Sequence, residues 1–329
     1  MFKIYSFGKI RMRYFRWAAI LVTTVVLLAS FQYLIELYLK MSVRYAASSR
    51  IDFSDLVHDE EFKLVVDQRP AFVVAIAPVL SPSRSLLCYR DIVIYLANRL
   101  NRRPELITRK TYMEINELVR HRQCDMALVC TYPYVLGKRD FRMEVLVTPV
   151  IDNSSHYQSF IVVPRQSPAT RLLDLANKRF AINDYLSSSG WLFPAQQLLS
   201  QQLNPDLFFS EVLITQSHDD SIDAVCTGAV DGSAVHSAVL KSLMAADPTL
   251  KNKIRILAKS QEWGLSPFVT HPDTPEAFKT QLRQLLVSMS GQADGLAILT
   301  QMGIDRFFIP PSDFYHSVEQ DVLQLEKRP

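Results

Sequence analysis

Residues 180–194 read FAINDYLSSSGWLFP. A short strand-like run, 180–183, passes into a polar stretch with three hydroxyls and a glycine, and then into the start of a helix. Strand, polar turn and helix in succession form the repeating unit of an α/β chain, and the succession recurs on both sides of this stretch. Around it, 159–163 and 211–214 read as strands, while 171–175, 191–203 and 219–227 have helical spacing. Further upstream, 72–77 (FVVAIA) is a β-branched run that ends at Pro78, as a buried strand does. Helical spacing follows over 84–100, with Leu87, Ile94, Tyr95 and Leu100 near one face. A strand at 105–109, a helix at 112–120 and an apolar strand at 126–130 complete the first group. Runs apolar throughout are expected of parallel strands covered on both faces, so the sheets are predicted to be largely parallel. Helices at 276–290 and 294–302 come last.

The chain is therefore predicted to be α/β with two lobes. Residues 69–157 form the first part of lobe 1, 158–262 form lobe 2, and 263–329 return to lobe 1 and supply the C-terminal tail. A chain that crosses twice between lobes makes a hinge, and ligands bind between such domains.

Residues 18–35, AAILVTTVVLLASFQYLI, carry no charge. Eighteen helical residues reach ~27 Å, against ~30 Å for a bilayer's hydrocarbon core. Lys3, Lys9, Arg11, Arg13 and Arg16 precede the run with no acid among them, which keeps the N-terminus in the cytoplasm. Residues 1–16 are thus a cytoplasmic basic segment, 17–39 a transmembrane helix or signal peptide, and 40–68 a polar linker or stalk. In the first reading the protein is a single-pass protein of the cytoplasmic membrane with its binding domain in the periplasm. In the second, cleavage near Leu28-Ala29-Ser30 leaves a soluble periplasmic protein. Both export the remainder.

Charge follows the same division. The net charge is +3, yet residues 1–40 hold six basic side chains and one acid, leaving 30 basic and 32 acidic groups beyond them. The exported part is slightly acidic, so nucleic acid is not an expected partner. Cys88, Cys124, Cys130 and Cys226 form no CxxC or Cys/His cluster, so neither a metal nor another cofactor is expected. Disulfides and buried free thiols both remain open for them.

Three loops follow predicted strands, where open α/β sheets bind ligands. In the first, Ser187, Ser188, Ser189 and Gly190 open a helix, whose free N–H groups and partial positive charge suit an anion. A serine N-cap with two solvated neighbours is the plainer reading. In the second, Gln216-Ser217-His218-Asp219-Asp220 opens another helix. His218 can donate a hydrogen bond to an anion, and the two acids suit the helix dipole. In the third, Thr131, Tyr132 and Tyr134 follow the strand at 126–130, either lining a cleft or packing in a core.

These loops carry a resemblance. Residues 184–194 are similar to the DPxSTSGxLxP segment of the phosphate/phosphite/phosphonate substrate-binding family of transporter components. Residues 217–235 resemble its GSHDASVLAVxxGEVDAGAV block, 125–135 its DxAxxGPxxYV strand and loop, and 267–275 its PWVVRKDLP region. The match runs in consistent order from about 70 to 315. It implies a periplasmic-binding-protein type II fold that closes on its ligand. It also implies that Ser187, Ser188 and Ser189 hold an oxyanion with His218 beside them, and that Thr131 faces them from the other lobe; Tyr132, next to it in the same loop, is a candidate with it. Asp219 falls where the family can place an acid against a ligand amine. His236 stands where Asp or Asn is common, which either favours a more anionic ligand or only alters the pocket. Tyr89 and Arg90 are a further candidate pair outside the matched blocks.

The implied function is extracytoplasmic capture of a phosphate-, phosphite- or phosphonate-like oxyanion for an ABC permease. The alternative is an anchored sensing subunit that signals to a membrane partner. A serine hydrolase built on Ser188, His218 and Asp231 has no GxSxG to support it, and an enzyme is not expected.

Overall fold

The computed structural model describes Arg50–Asp52 and residues 67–326. The basic segment, the apolar run at 18–35 and most of the stalk lie outside the described residues. Among the described residues no helix is long and apolar enough to cross a membrane.

Two sheets organise two lobes. The first has seven strands: Arg50–Asp52 (β1), Ala71–Ile76 (β2), Arg103–Thr108 (β3), Met126–Leu128 (β4), Glu144–Val150 (β5), Phe268–Thr270 (β13) and Arg306–Phe308 (β14), in the order β1-β3-β2-β4-β13-β5-β14. The second has five: Ser159–Pro164 (β7), Arg179–Ile182 (β8), Glu211–Ile214 (β9), Gly232–His236 (β10) and Ile254–Lys259 (β11), in the order β11-β7-β10-β8-β9. His156–Tyr157 (β6) and Trp263–Gly264 (β12) form a two-stranded ribbon where the chain crosses between the sheets.

The sheets are mixed, which corrects the expectation of a largely parallel arrangement. β2 runs parallel to β3 and β4, and β8 runs parallel to β9 and β10. In contrast, β7 is antiparallel to β10 and β11, and β13 is antiparallel to β4 and β5. Topology supplies the reason. The parallel strands point their C-terminal ends toward the cleft, and β7 and β13 are the strands by which the chain enters each sheet from that side.

Side-chain alternation fixes the layers. On β2, Phe72, Val74 and Ile76 face one core, against the helices Pro82–Arg99, Glu276–Ser288 and Ala293–Met302. Val73 and Ala75 face the other core, with the helix Tyr112–Arg120. Each large apolar side chain so buried contributes about 1.5–3 kcal/mol. Trp263, fully buried on the crossing ribbon, donates its indole N–H to Asp321 Oδ2 at 2.7 Å. That acid also accepts from Gln261 Nε2 at 2.6 Å, so the helix His316–Glu326 braces the crossing.

Two helical readings were too long or too regular. Residues 171–175 contain a 3-10 turn, Leu172–Leu175. In place of one helix over 191–203 stand a π turn, Ser188–Leu192, and a helix, Phe193–Leu199. The four cysteines are free thiols, Cys124 and Cys130 buried.

Candidate functional site

The loops at the C-terminal ends of β2, β3 and β4 meet those of β8, β9 and β10 across the cleft. After β8 the chain makes the π turn, and such turns occur often at functional sites. Ser187 caps it, its Oγ accepting the Gly190 N–H at 2.9 Å. Gly190 is required here, because a Cβ at this position would sit 2.1 Å from Asn183 Oδ1.

The capped turn aims the next two serines outward. Ser188 Oγ accepts the Tyr132 N–H at 2.9 Å and lies 2.6 Å from Thr131 Oγ1, across the cleft. Those two residues begin the helix Thr131–Phe141, whose N-cap, Cys130, makes no side-chain capping bond. Ser188 thus completes a helix N-terminus belonging to the other lobe. Thr131 Oγ1 also lies 3.2 Å from the Tyr157 hydroxyl. Ser189 Oγ lies 3.2 Å from His218 Nε2, and its carbonyl accepts the Ser159 hydroxyl at 2.6 Å. The three serines, Thr131 and His218 are fully buried. The plain N-cap reading therefore holds for Ser187 alone.

The converging groups are neutral hydroxyls, backbone N–H and imidazole. Burial pushes His218 down to about 3. His236 is held well below its ordinary range by burial and then by His218, whose ring centre is 5.9 Å away. Both imidazoles are uncharged at neutral pH. His218 Nδ1 has no hydrogen-bond partner. His236 accepts the Ala238 N–H at Nδ1 at 3.2 Å and stacks on Tyr157 at 3.9 Å.

Acids from the second lobe tie the lobes together. Asp219 Oδ1 accepts the Ser81 N–H at 2.8 Å, and its Oδ2 accepts the Ser81 hydroxyl at 2.6 Å. Arg84 Nε lies 3.1 Å from the same carboxylate. Beside it the His218 N–H is donated to Val79 O at 3.0 Å. Asp184 Oδ2 accepts the Tyr112 N–H at 3.0 Å at the start of another lobe 1 helix, while Asn183 Nδ2 donates to the Tyr112 hydroxyl at 2.7 Å. Asp219 and Asp184 both sit at helix N-termini of the facing lobe, where the dipole favours a carboxylate. Asp220, by contrast, stays within its own helix and accepts the Ser217 hydroxyl at 2.6 Å.

The sequence of residues 74–313 matches the family described as the periplasmic substrate-binding protein of the phosphonate ABC transporter. The chain belongs to this family. It is a solute-binding protein of the phosphonate-transporter class, with an extracytoplasmic binding domain, and the family is a transporter component rather than an enzyme family. The fold is similar to a binding-protein component of an ABC phosphonate transporter from Pseudomonas aeruginosa. That match has a TM-score of 0.73 and 17% identity, and covers 79% of this chain and 87% of the other. PhnD1 of Prochlorococcus marinus MIT 9301, solved with methylphosphonate, matches with a TM-score of 0.69 at 19% identity over 78% and 99% of the two chains. A Xanthomonas citri protein bound to chloride matches with a TM-score of 0.65 at 16% identity over 78% and 98%.

Among the residues singled out from sequence, Ser187, Ser188, Ser189, Thr131, Tyr132 and His218 come together in this phosphonate-family chain. His236 stands next to them, and Asp219 is engaged at the lobe interface. Arg90 pairs with its neighbour Asp91 at 2.8 Å instead of reaching the cleft. Asp231 accepts the Arg179 N–H at 2.9 Å, so it does not orient His218, and His218 faces Ser189 instead of Ser188. Tyr157, Ser159, Ser81 and Tyr112 escaped the sequence reading. Tyr157 lies in the crossing ribbon and the others in unremarkable runs, and only the fold brings them to the loops.

Proposed function

We propose that the chain captures a phosphate-, phosphite- or phosphonate-like oxyanion between its two lobes and delivers it to an ABC permease. One observation carries the reading: Ser188 Oγ, from the second lobe, is the acceptor for the Tyr132 N–H and the neighbour of Thr131 Oγ1 in the first. An oxyanion seated there would take over that acceptor role and collect Ser188, Ser189 and Thr131 as donors, with the helix N-terminus behind them. His218, uncharged, adds a hydrogen bond without a full charge. Ser187 holds the turn, Tyr132 supplies its N–H, and His236 borders the ligand. Asp219 acts as a latch between lobes, because Ser81 and Arg84 already occupy it. The domain division 69–157, 158–262 and 263–329 describes the lobes that close.

The uncharged run at 18–35 supports a second element of the proposal, retention in the membrane with the N-terminus inside. A retained anchor also favours the alternative role of a sensing subunit that reports occupancy to a membrane partner. Mass spectrometry of the mature N-terminus separates retention from cleavage.

Calorimetry of the purified chain against phosphate, phosphite, methylphosphonate, 2-aminoethylphosphonate and sulfate tests the oxyanion reading. A ligand at a hundredfold excess over its Kd should stabilise the fold by about 2.7 kcal/mol. Absence of binding by the whole series would refute the reading.

A further inference from the structure

A cavity of about 440 Å³ lies beside the candidate site, within the span of small-molecule pockets. Leu80, Leu243, Leu265 and Met302 form part of its walls, and Val79 and His236 line the side next to the site. Both of these border residues touch the oxyanion machinery. Val79 O accepts the backbone N–H of His218 at 3.0 Å, and the His236 ring centre is 5.9 Å from that of His218.

The two compartments differ in chemistry. At Ser188, Ser189 and Thr131 every side chain is polar and lies within hydrogen-bond distance of another. The cavity is walled mainly by hydrocarbon, and Cys88 on its lining has a thiol pushed up to about 11 by burial. Asp219 is committed to Ser81 and Arg84, so it is not placed to receive a ligand amine. One buried polar atom on the lining has no partner. Ser266 is only 8% exposed, and its Oγ has no hydrogen-bond partner.

We infer that the ligand is an oxyanion bearing an apolar alkyl or aryl substituent, seated with its charged end at Ser188 and Ser189 and its substituent in this cavity. The inference rests on the oxyanion reading and specifies its substrate class. Ser266 offers a hydrogen bond to an oxygen near the junction of the two parts. A methyl group would leave most of the cavity unfilled, whereas a butyl chain or a phenyl ring would bury apolar surface against it.

Titration of the whole chain with methyl-, ethyl-, butyl- and phenylphosphonate is the test. Affinity should rise about fourfold per buried methylene until the cavity is full. Ser242→Trp, on the exposed rim of the helix Ser237–Ala246, and Met302→Trp, on the opposite wall, should each weaken butyl- and phenylphosphonate at least tenfold and leave methylphosphonate unchanged. If methylphosphonate binds and the longer members bind no tighter, the inference fails and the oxyanion reading stands. It fails equally if both tryptophan variants fold and bind butylphosphonate as before. If no member binds while phosphate or phosphite does, the inference fails alone; if those two are silent as well, the oxyanion reading falls and takes this one with it.

Discussion

Ser188 and His218 are both fully buried, and each is understood through the atom it faces. Ser188→Ala would leave the Tyr132 N–H and the Thr131 hydroxyl without their cross-cleft partner. A buried donor so stranded costs about 1–3 kcal/mol, so the variant should unfold at lower urea and lose oxyanion binding by more than tenfold. Retention of binding at full strength would remove Ser188 from the site. For His218, burial pushes the folded pKa down to about 3, below the ordinary 6.5 of imidazole. The unfolded chain takes up a proton near pH 6.5 while the folded chain does not. The stability is therefore fully present above that pH and is lost as pH falls toward 3, by at most ~1.4 kcal/mol per pH unit. Urea denaturation at pH 7.5 and 5 should show a larger acid loss for the native chain than for His218→Asn; equal losses would contradict a neutral buried imidazole.

At the scale of elements, the π turn Ser188–Leu192 is the feature that aims the serines. Sequence alone showed a helix start with three hydroxyls, and could not separate the capping serine from the two that reach out. That division arises because the turn is wider than an α-helix and Gly190 lets it press against Asn183. Gly190→Ala would push a methyl into Asn183 Oδ1 and Ser187 Oγ. Overpacking of this kind costs about 1–3 kcal/mol, and the variant should show both a lower unfolding midpoint and weaker oxyanion binding. An unaltered midpoint would mean the turn can relax at no cost. The brace at the crossing ribbon is equally local in effect. Asp321→Ala strands the Trp263 and Gln261 donors, and should cost about 1.5–3 kcal/mol, read as a lower unfolding midpoint in urea.

For the whole molecule the question is what holds the lobes against each other. Asp219 reaches across to Ser81 from the first turn of the helix His218–Cys226, and Asp184 reaches across to Tyr112 from the loop after β8. Arg84 is about half exposed, so its ion pair adds little, and the buried bonds to Ser81 carry the latch. Asp219→Ala should shift the population toward an open form, read as a larger radius of gyration in small-angle scattering. Oxyanion addition should reverse that shift. An unchanged radius would mean that Asp184 and the Ser188 contacts suffice for closure.

The local order of the chain was legible from residue pattern. The β-branched run around Val74, the helix at Tyr112–Arg120 and the loop at Ser187 announce themselves through period, capping residues and polar breaks, all of which act within a few residues. The loops proposed to bind could be singled out for the same reason, since helix-opening serines and histidine carry their chemistry locally. Pairing across the cleft could not be read that way. Strand direction in β7 and β13, the meeting of Ser188 with Thr131, the capture of Asp219 by Ser81 and the approach of Tyr157 to His236 all join residues far apart in the chain. They depend on two lobes folding back over one hinge, and no local preference encodes which distant partner a hydroxyl or carboxylate will meet. The α/β body and its hydroxyl- and histidine-bearing loops were therefore determined by sequence, whereas the meeting of those loops and the apolar cavity beside them were decided by tertiary structure.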